Sequence, residues 1–203
     1  MQTLGEARER YKAYWRTHRP EPPPPVYDNS EVDATGKVLF AAGDIHGDLD
    51  ALLSLVIDVM GVCVIQPDGS PKWVAKNTVL VFTGDYVDRC RTHSKIDPTG
   101  CTCGEDADGM DELRVLDLIN ELGQQALAAN SRVVKLVGNH EVMHTQFHKD
   151  VSFYEPYVSP AALRAQGGIL GRRAQFSGGD IGRRVVGGDT RVLVVVRTSA
   201  HPW

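Results

Sequence analysis

Three short stretches hold side chains that could bind a cation or move a proton. "GDIHGD" carries Asp44 and His46, "GDYVDR" carries Asp85, Asp88 and Arg89, and "GNHE" carries Asn139 and His140. Each begins with a glycine directly after an apolar run, and a metal-capable side chain follows that glycine. One Gly-Asp pair after a strand is usually a turn and a helix cap; three in register call for another explanation. In an extended segment residues two apart point to the same side, so Asp44 and His46 are expected to reach one cation together. Asp85 stands where it would bridge two cations, with Asp88 and Arg89 just beyond. Asn139 offers a neutral carbonyl oxygen, and His140 a titratable imidazole. Mixed oxygen and imidazole ligation suits manganese, iron or zinc better than magnesium or calcium.

The runs ahead of these stretches predict the elements that must position them. Residues 37–42, 78–83 and 132–137 are short, apolar and rich in β-branched residues, which suits strands. Residues 48–60 show helical spacing at Leu49, Leu52, Leu53, Val56 and Val59, with Asp48 where an N-cap belongs. Residues 111–129 form a second amphipathic pattern, and residues 67–73 read as a turn. Strand, helix, strand, helix, strand implies an α/β fold with a mostly parallel sheet, and ligands collect beyond the carboxyl ends of such strands. Ser159 and Pro160 can open a further helix. The glycine- and arginine-rich run 167–188 reads as loop with one short helix, and residues 192–196 as a buried strand.

The 203 residues suffice for one sizeable core. A net charge of −4 argues against nucleic acid as a partner. No apolar run approaches the roughly 20 residues that cross a bilayer, and residues 1–19 lack the apolar core of a secretory signal. The expected location is therefore cytoplasmic, with the four cysteines reduced. Residues 1–36 divide into a helix, read as an arm packed on the outside, and a proline-rich linker; residues 37–203 form the main domain.

In order and context, the three stretches resemble the signature of the calcineurin-like metallophosphoesterases. They are most similar to the phosphoprotein phosphatase branch and, through Val137 and "SPAALRAQGGILGRR", to its bacterial-like and Shewanella-like members. The resemblance covers roughly residues 37–143. It implies a β-sandwich flanked by helices (αββα) and two divalent metal ions, manganese first, iron or zinc otherwise. It also implies hydrolysis of phosphoserine or phosphothreonine, or of phosphotyrosine, in protein or peptide substrates by a metal-activated water. Asp44 and His46 would hold the first metal, Asp85 would bridge and Asn139 would bind the second. Arg89 would clamp the phosphoryl group, and His140, oriented by Asp88, would protonate the leaving oxygen. Glu141 would support the site and not ligate.

The sequence departs from that pattern in places. Cys90 replaces a glycine, and an insertion at about 90–110 adds His93, Cys101 and Cys103. It reads as a long exposed loop; a zinc site is disfavoured because Cys-x-Cys is unlike paired zinc knuckles. Cys63 reads as a core residue. The family's later histidine should follow a buried strand, yet residues 192–196 lead into Arg197. His144, His148 and His201 do not fit that role, and His144 and His148 read as ordinary helix or loop residues. The resemblance therefore implies a chain lacking the C-terminal part of the fold. Two other readings stand beside the enzyme: a catalytically incomplete binding piece, and a dinucleoside polyphosphate hydrolase.

Overall fold

The computed structural model describes residues 2–26, 31–90, 108–145, 158–192, 194 and 196–198. Thr3 opens helix α1 (Leu4–Thr17) with a reciprocal cap, its hydroxyl accepting from the Glu6 amide while Glu6 accepts from the Thr3 amide at 2.8 Å. Strands β1 (Val32–Asp33) and β2 (Val38–Ala42) follow. Asp48 caps helix α2 (Leu49–Leu53) by accepting from the Ala51 amide at 3.0 Å. The chain then widens into a π-helical turn over Ser54–Val59. That turn swings Val59 out of the apolar stripe its spacing predicts, leaving it 69% exposed. A hairpin of β3 (Cys63–Ile65) and β4 (Pro71–Trp73) encloses the start of the turn expected at 67–73.

Strand β5 (Thr78–Phe82), helix α3 (Asp111–Leu127), strand β6 (Arg132–Leu136) and helix α4 (Asn139–Thr145) continue the predicted alternation. Helix α5 (Pro160–Ala165) is capped by Ser159, whose hydroxyl accepts from the Ala162 amide at 3.0 Å. Two helices, α6 (Gly168–Phe176) and α7 (Asp180–Val186), then occupy the run that its sequence predicts to be mainly loop. Helices of 6 to 9 residues are marginal on propensity alone. Buried ion pairs hold these: Arg184 Nε reaches Asp117 Oδ1 on α3, and Arg172 NH1 reaches Glu112 Oε2 at 2.8 Å.

Of the strand predicted at 192–196, residues 193 and 195 lie outside the described residues, Val192 is not in a strand and Val196 is. Strand β7 (Thr190–Arg191) pairs with β6 through Lys135↔Thr190 and Leu136↔Arg191, and β6 stops there. Val192, the next residue, is 89% exposed. Strand β8 (Val196–Arg197) instead pairs in parallel with β1.

The main sheet is parallel throughout, in the order β2-β5-β6-β7. Every residue of β5 is buried, as a strand covered on both faces requires. Leu80 and Phe82 join the core under α2 and α3, while Val79, Val81 and Val134 meet Val32 and Ala34 beside the β1–β8 ladder. This is the expected α/β architecture of parallel sheet and flanking helices. None of the described helices is long and apolar enough to cross a membrane.

Helix α1 is more than an outer arm, because Tyr11 and Trp15 belong to the same core. The Trp15 ring lies between the guanidinium groups of Arg19 and Arg114, at 5.0 and 4.9 Å, and its Nε1 donates to Asp117 at 2.8 Å. Cys63 is the expected core thiol, pushed up to about 12 by burial. Cys90 is buried and disulfide-bonded, against the reduced state expected of it. His93, Cys101, Cys103, His148 and His201 lie outside the described residues.

Truncating Trp15 removes both its packing and a buried hydrogen bond. Trp15→Ala is expected to cost about 3–5 kcal/mol in urea unfolding; a loss below about 1 kcal/mol would show that α1 is dispensable. Lys135 supplies a pH test. It is buried on the helix face of β6, with Nζ 2.6 Å from Asn120 Oδ1 and 2.8 Å from the Arg184 carbonyl. Burial pushes its ammonium group down to about 7. Above that pH the folded chain releases a proton that the unfolded chain keeps up to the ordinary lysine value, so the unfolded state binds more protons and stability rises with pH. Unfolding free energy should climb between pH 7 and 9, and Lys135→Met should flatten the climb.

Candidate metal centre

Parallel pairing brings the ends of β2, β5 and β6 to one level, and the loops beyond them keep bonding to each other. Asp44 N donates to Gly84 O at 3.3 Å, His46 N to Asp85 O at 2.8 Å and Gly47 N to Tyr86 O at 2.7 Å. The third loop joins through the His140 amide, which donates to Asp85 Oδ1 at 3.0 Å. The loops approach so closely that a Cβ on Gly84 would collide with the backbone of Gly138, and one on Gly138 with the amide and carboxylate of Asp85. Glycine is therefore required at both positions.

The backbone here is strained and not extended, which corrects the basis on which Asp44 and His46 were paired. Asp44, His46, Asp85 and Asp88 all have positive φ, between 49° and 67°. Such angles cost of order 1–3 kcal/mol for a side-chain-bearing residue and cluster where function requires them. Asp44 consequently lies exposed at the rim. His46, Asp85 and His140 bring their ligand atoms within 4.8 Å of one another.

The donor chemistry suits a divalent cation. His46 Nδ1 donates to the Val87 carbonyl at 3.0 Å, and His140 Nδ1 lies 2.8 Å from Asp88 Oδ2. With Nδ1 of each ring turned to an acceptor, Nε2 is the nitrogen each ring can offer a cation or a substrate. The Asn139 amide lies against Asp85, 2.9 and 3.2 Å from its oxygens, in the orientation where its nitrogen donates. Arg89 sits beside the first loop, its NH1 donating to Gly47 O at 2.9 Å and 3.3 Å from Asp48 Oδ1.

Glu141 is fully buried and braces all of this. Its Oε2 accepts from the amides of Asp85 and Gly138, both at 2.9 Å, and its Oε1 from the Tyr86 amide at 2.8 Å. Burial pushes its carboxyl up, while those amides oppose the shift. The supporting role expected of it matches this placement.

Asp88 has no exposure to solvent, yet it is ringed by donors. Besides His140, it accepts from His144 Nε2 at 2.7 Å and from Arg172 NH2 at 2.7 Å. Its backbone amide donates to Glu112 Oε1 at 2.8 Å. Burial pushes the Asp88 carboxyl up, but the two imidazole hydrogen bonds and the charge of Arg172 outweigh it and hold it well below the usual carboxylate range. Glu112, His144 and Arg172 were not legible as site residues. Glu112 shows in sequence only as a first-turn helix acid, His144 as an ordinary helix or loop residue and Arg172 as part of an unstructured basic run. The one signal was indirect: a carboxylate buried at a strand end requires a distant counter-charge.

A family profile described as calcineurin-like phosphoesterase matches residues 38–189. An uncharacterised protein of Schizosaccharomyces pombe is 36% identical over 109 residues, covering 54% of this chain and 26% of its own length. Shewanella-like protein phosphatase 2 of Arabidopsis thaliana is 28% identical over 53% of this chain and 22% of its own length. Shewanella-like protein phosphatase 1 of Plasmodium berghei is 26% identical over 66% and 34%. The chain thus spans about a third or less of these curated relatives. A solved cold-active protein-tyrosine phosphatase of a psychrophilic Shewanella species matches with a TM-score of 0.56 at 21% identity, over 85% of this chain and 43% of that one. At that identity the likeness is one of fold.

Glu141→Ala would strand the buried amides of Asp85 and Tyr86, each costing roughly 1–3 kcal/mol, and the half-buried amide of Gly138. We expect a soluble but largely unfolded protein by circular dichroism, with Glu141→Gln intermediate. A wild-type urea midpoint for Glu141→Ala would refute the bracing role.

Proposed function

The chain belongs to the calcineurin-like phosphoesterase family, and on that premise we propose that it serves metal-dependent hydrolysis of phosphomonoesters on protein or peptide side chains. The convergence of His46, Asp85 and His140, with Arg89 beside them and Asp88 behind His140, is the observation that carries this reading. His46 and Asp85 would hold one divalent cation, with Asp44 on the rim of the same loop, and Asp85 and Asn139 a second. The mixed oxygen and imidazole donors favour manganese, iron or zinc. When bound, such ions would supply positive charge that activates water and polarises the phosphoryl oxygens.

The chain's own residues do the rest. Arg89 orients the phosphoryl group with charge-assisted hydrogen bonds that strengthen as negative charge builds up. His140 delivers a proton from Nε2 to the departing oxygen, while Asp88 holds Nδ1 and favours the charged ring. The Shewanella-like names among the relatives, and the tyrosine phosphatase among the solved structures, support phosphoserine, phosphothreonine and phosphotyrosine alike as substrates to try. One observation favours a second reading, a phosphate-binding piece: Asp44 stands outside the converging group.

The deciding experiment is turnover of 4-nitrophenyl phosphate and of phosphopeptides with manganese, alongside metal stoichiometry. We expect manganese-dependent turnover that falls at least about 100-fold in Asp85→Asn. Absent turnover, with about one bound manganese per chain, would favour the binding piece. Turnover unaffected by Asp85→Asn would refute the assignment of the site.

A further inference from the structure

Building on the phosphatase reading, we infer that Arg172 is a positioning residue for the Asp88–His140 pair, acting from α6 to aim the proton-donating imidazole. It stands 84 residues from Asp88 in the chain, and its guanidinium is only 4% exposed. NH2 donates to Asp88 Oδ1 at 2.7 Å and to Glu112 Oε1 at 3.1 Å. NH1 donates to Glu112 Oε2 at 2.8 Å and to Gln166 Oε1 at 2.9 Å. Glu112 in turn accepts the Asp88 amide at 2.8 Å, so Arg172 and Glu112 grip both the backbone and the side chain of Asp88.

The geometry divides the Asp88 carboxylate between its neighbours. Oδ1 faces Arg172 and Oδ2 faces His140, while His144 Nε2 reaches both oxygens at 2.9 and 2.7 Å. Rotating the carboxylate to break the His140 bond would also break the bond to Arg172. The lock therefore passes from α6 through Asp88 to the ring of His140. Phe176 seats the assembly: its ring stacks on His144 with centroids 4.3 Å apart, and the Arg172 guanidinium lies over the same ring, 5.2 Å from its centre.

Stability alone gives a weak account of this arrangement. A buried ion pair is often no better than an apolar replacement of similar volume. Here the fork is aimed so fully at two carboxylates that Arg172 Nε has no hydrogen-bond partner among the described residues. Directing Asp88 is a role that an apolar side chain could not fill.

The test compares leaving groups. Nitrophenolate departs without a proton, whereas the serine alkoxide of a phosphoserine peptide needs one. A misaimed donor should therefore harm the second substrate far more than the first. For Arg172→Ala we expect kcat on the phosphoserine peptide to fall about 100-fold, kcat on 4-nitrophenyl phosphate less than about fivefold, and KM to stay within about threefold for both. Arg172→Lys keeps the charge but not the fork, and should recover about tenfold of the loss. Equal falls on both substrates would overturn the proposal. If Arg172→Ala does not fold, the same ratio in Arg172→Lys decides. If the wild-type chain turns over neither substrate, the phosphatase reading fails separately, and the aim of His140 is read by NMR. A His140 Nδ1–H resonance lost in Arg172→Lys, with cooperative melting retained, supports the lock, and an unchanged resonance refutes it.

Discussion

A carboxylate shut away from water stays ionised only if positive charge and donors surround it, and Asp88 imposes that condition on its part of the molecule. Among the described residues it is met from elsewhere in the chain. The donors arrive from α4, through His140 and His144, and from α6, through Arg172. Glu112, at the start of α3, secures the Asp88 amide and neutralises part of the arginine's charge. One buried anion thus draws three helices onto the end of β5. The same contacts that satisfy it also hold the His140 imidazole beside His46 and Asp85.

A second constraint is steric. The loops after β2, β5 and β6 must approach until only glycine fits between them, and their functional residues must take left-handed backbone angles. Both are unfavourable locally. Glu141 offsets them by gathering three backbone amides on one buried carboxylate, which ties the second loop to the third.

The parts of this architecture that were legible in sequence are those with a local or periodic cause. Strand β5 announced itself by an apolar run rich in β-branched residues, α2 and α5 by the side chains at their caps, and the three loops by a glycine ahead of each metal-capable side chain. What was not legible depends on partners far along the chain. Val59 follows helical spacing yet leaves the core because a π-helical turn intervenes. Val192 has the composition of a strand residue, but the described pairing with β6 ends at Arg191, and Val196 pairs with β1 instead. Arg172 and Arg184 sit in a run of low periodicity, and their buried acids, Glu112, Asp88 and Asp117, together with the core side chains Phe176, Ile181 and Val185, turn that run into helices. Even at the site, the reading of Asp44 with His46 assumed an extended chain, whereas both residues have positive φ.

The dependence of α6 on those acids has a consequence for how the molecule behaves as a unit. Helices this short gain little from their own hydrogen bonds, so α6 is ordered largely by what Arg172 reaches. Asp88 in turn owes its ionisation and its orientation partly to that arginine. Coupling of this kind is reciprocal: an event that strengthens the hold on Asp88 or His140 must stabilise α6 by the same free energy with which α6 favours that event. The segment after residue 158 is therefore better regarded as the outer wall of the site than as an attachment to it. The hydrogen bonds of Asp88 thus couple α6 to His140, with Glu112 and Phe176 sharing in the order of that helix.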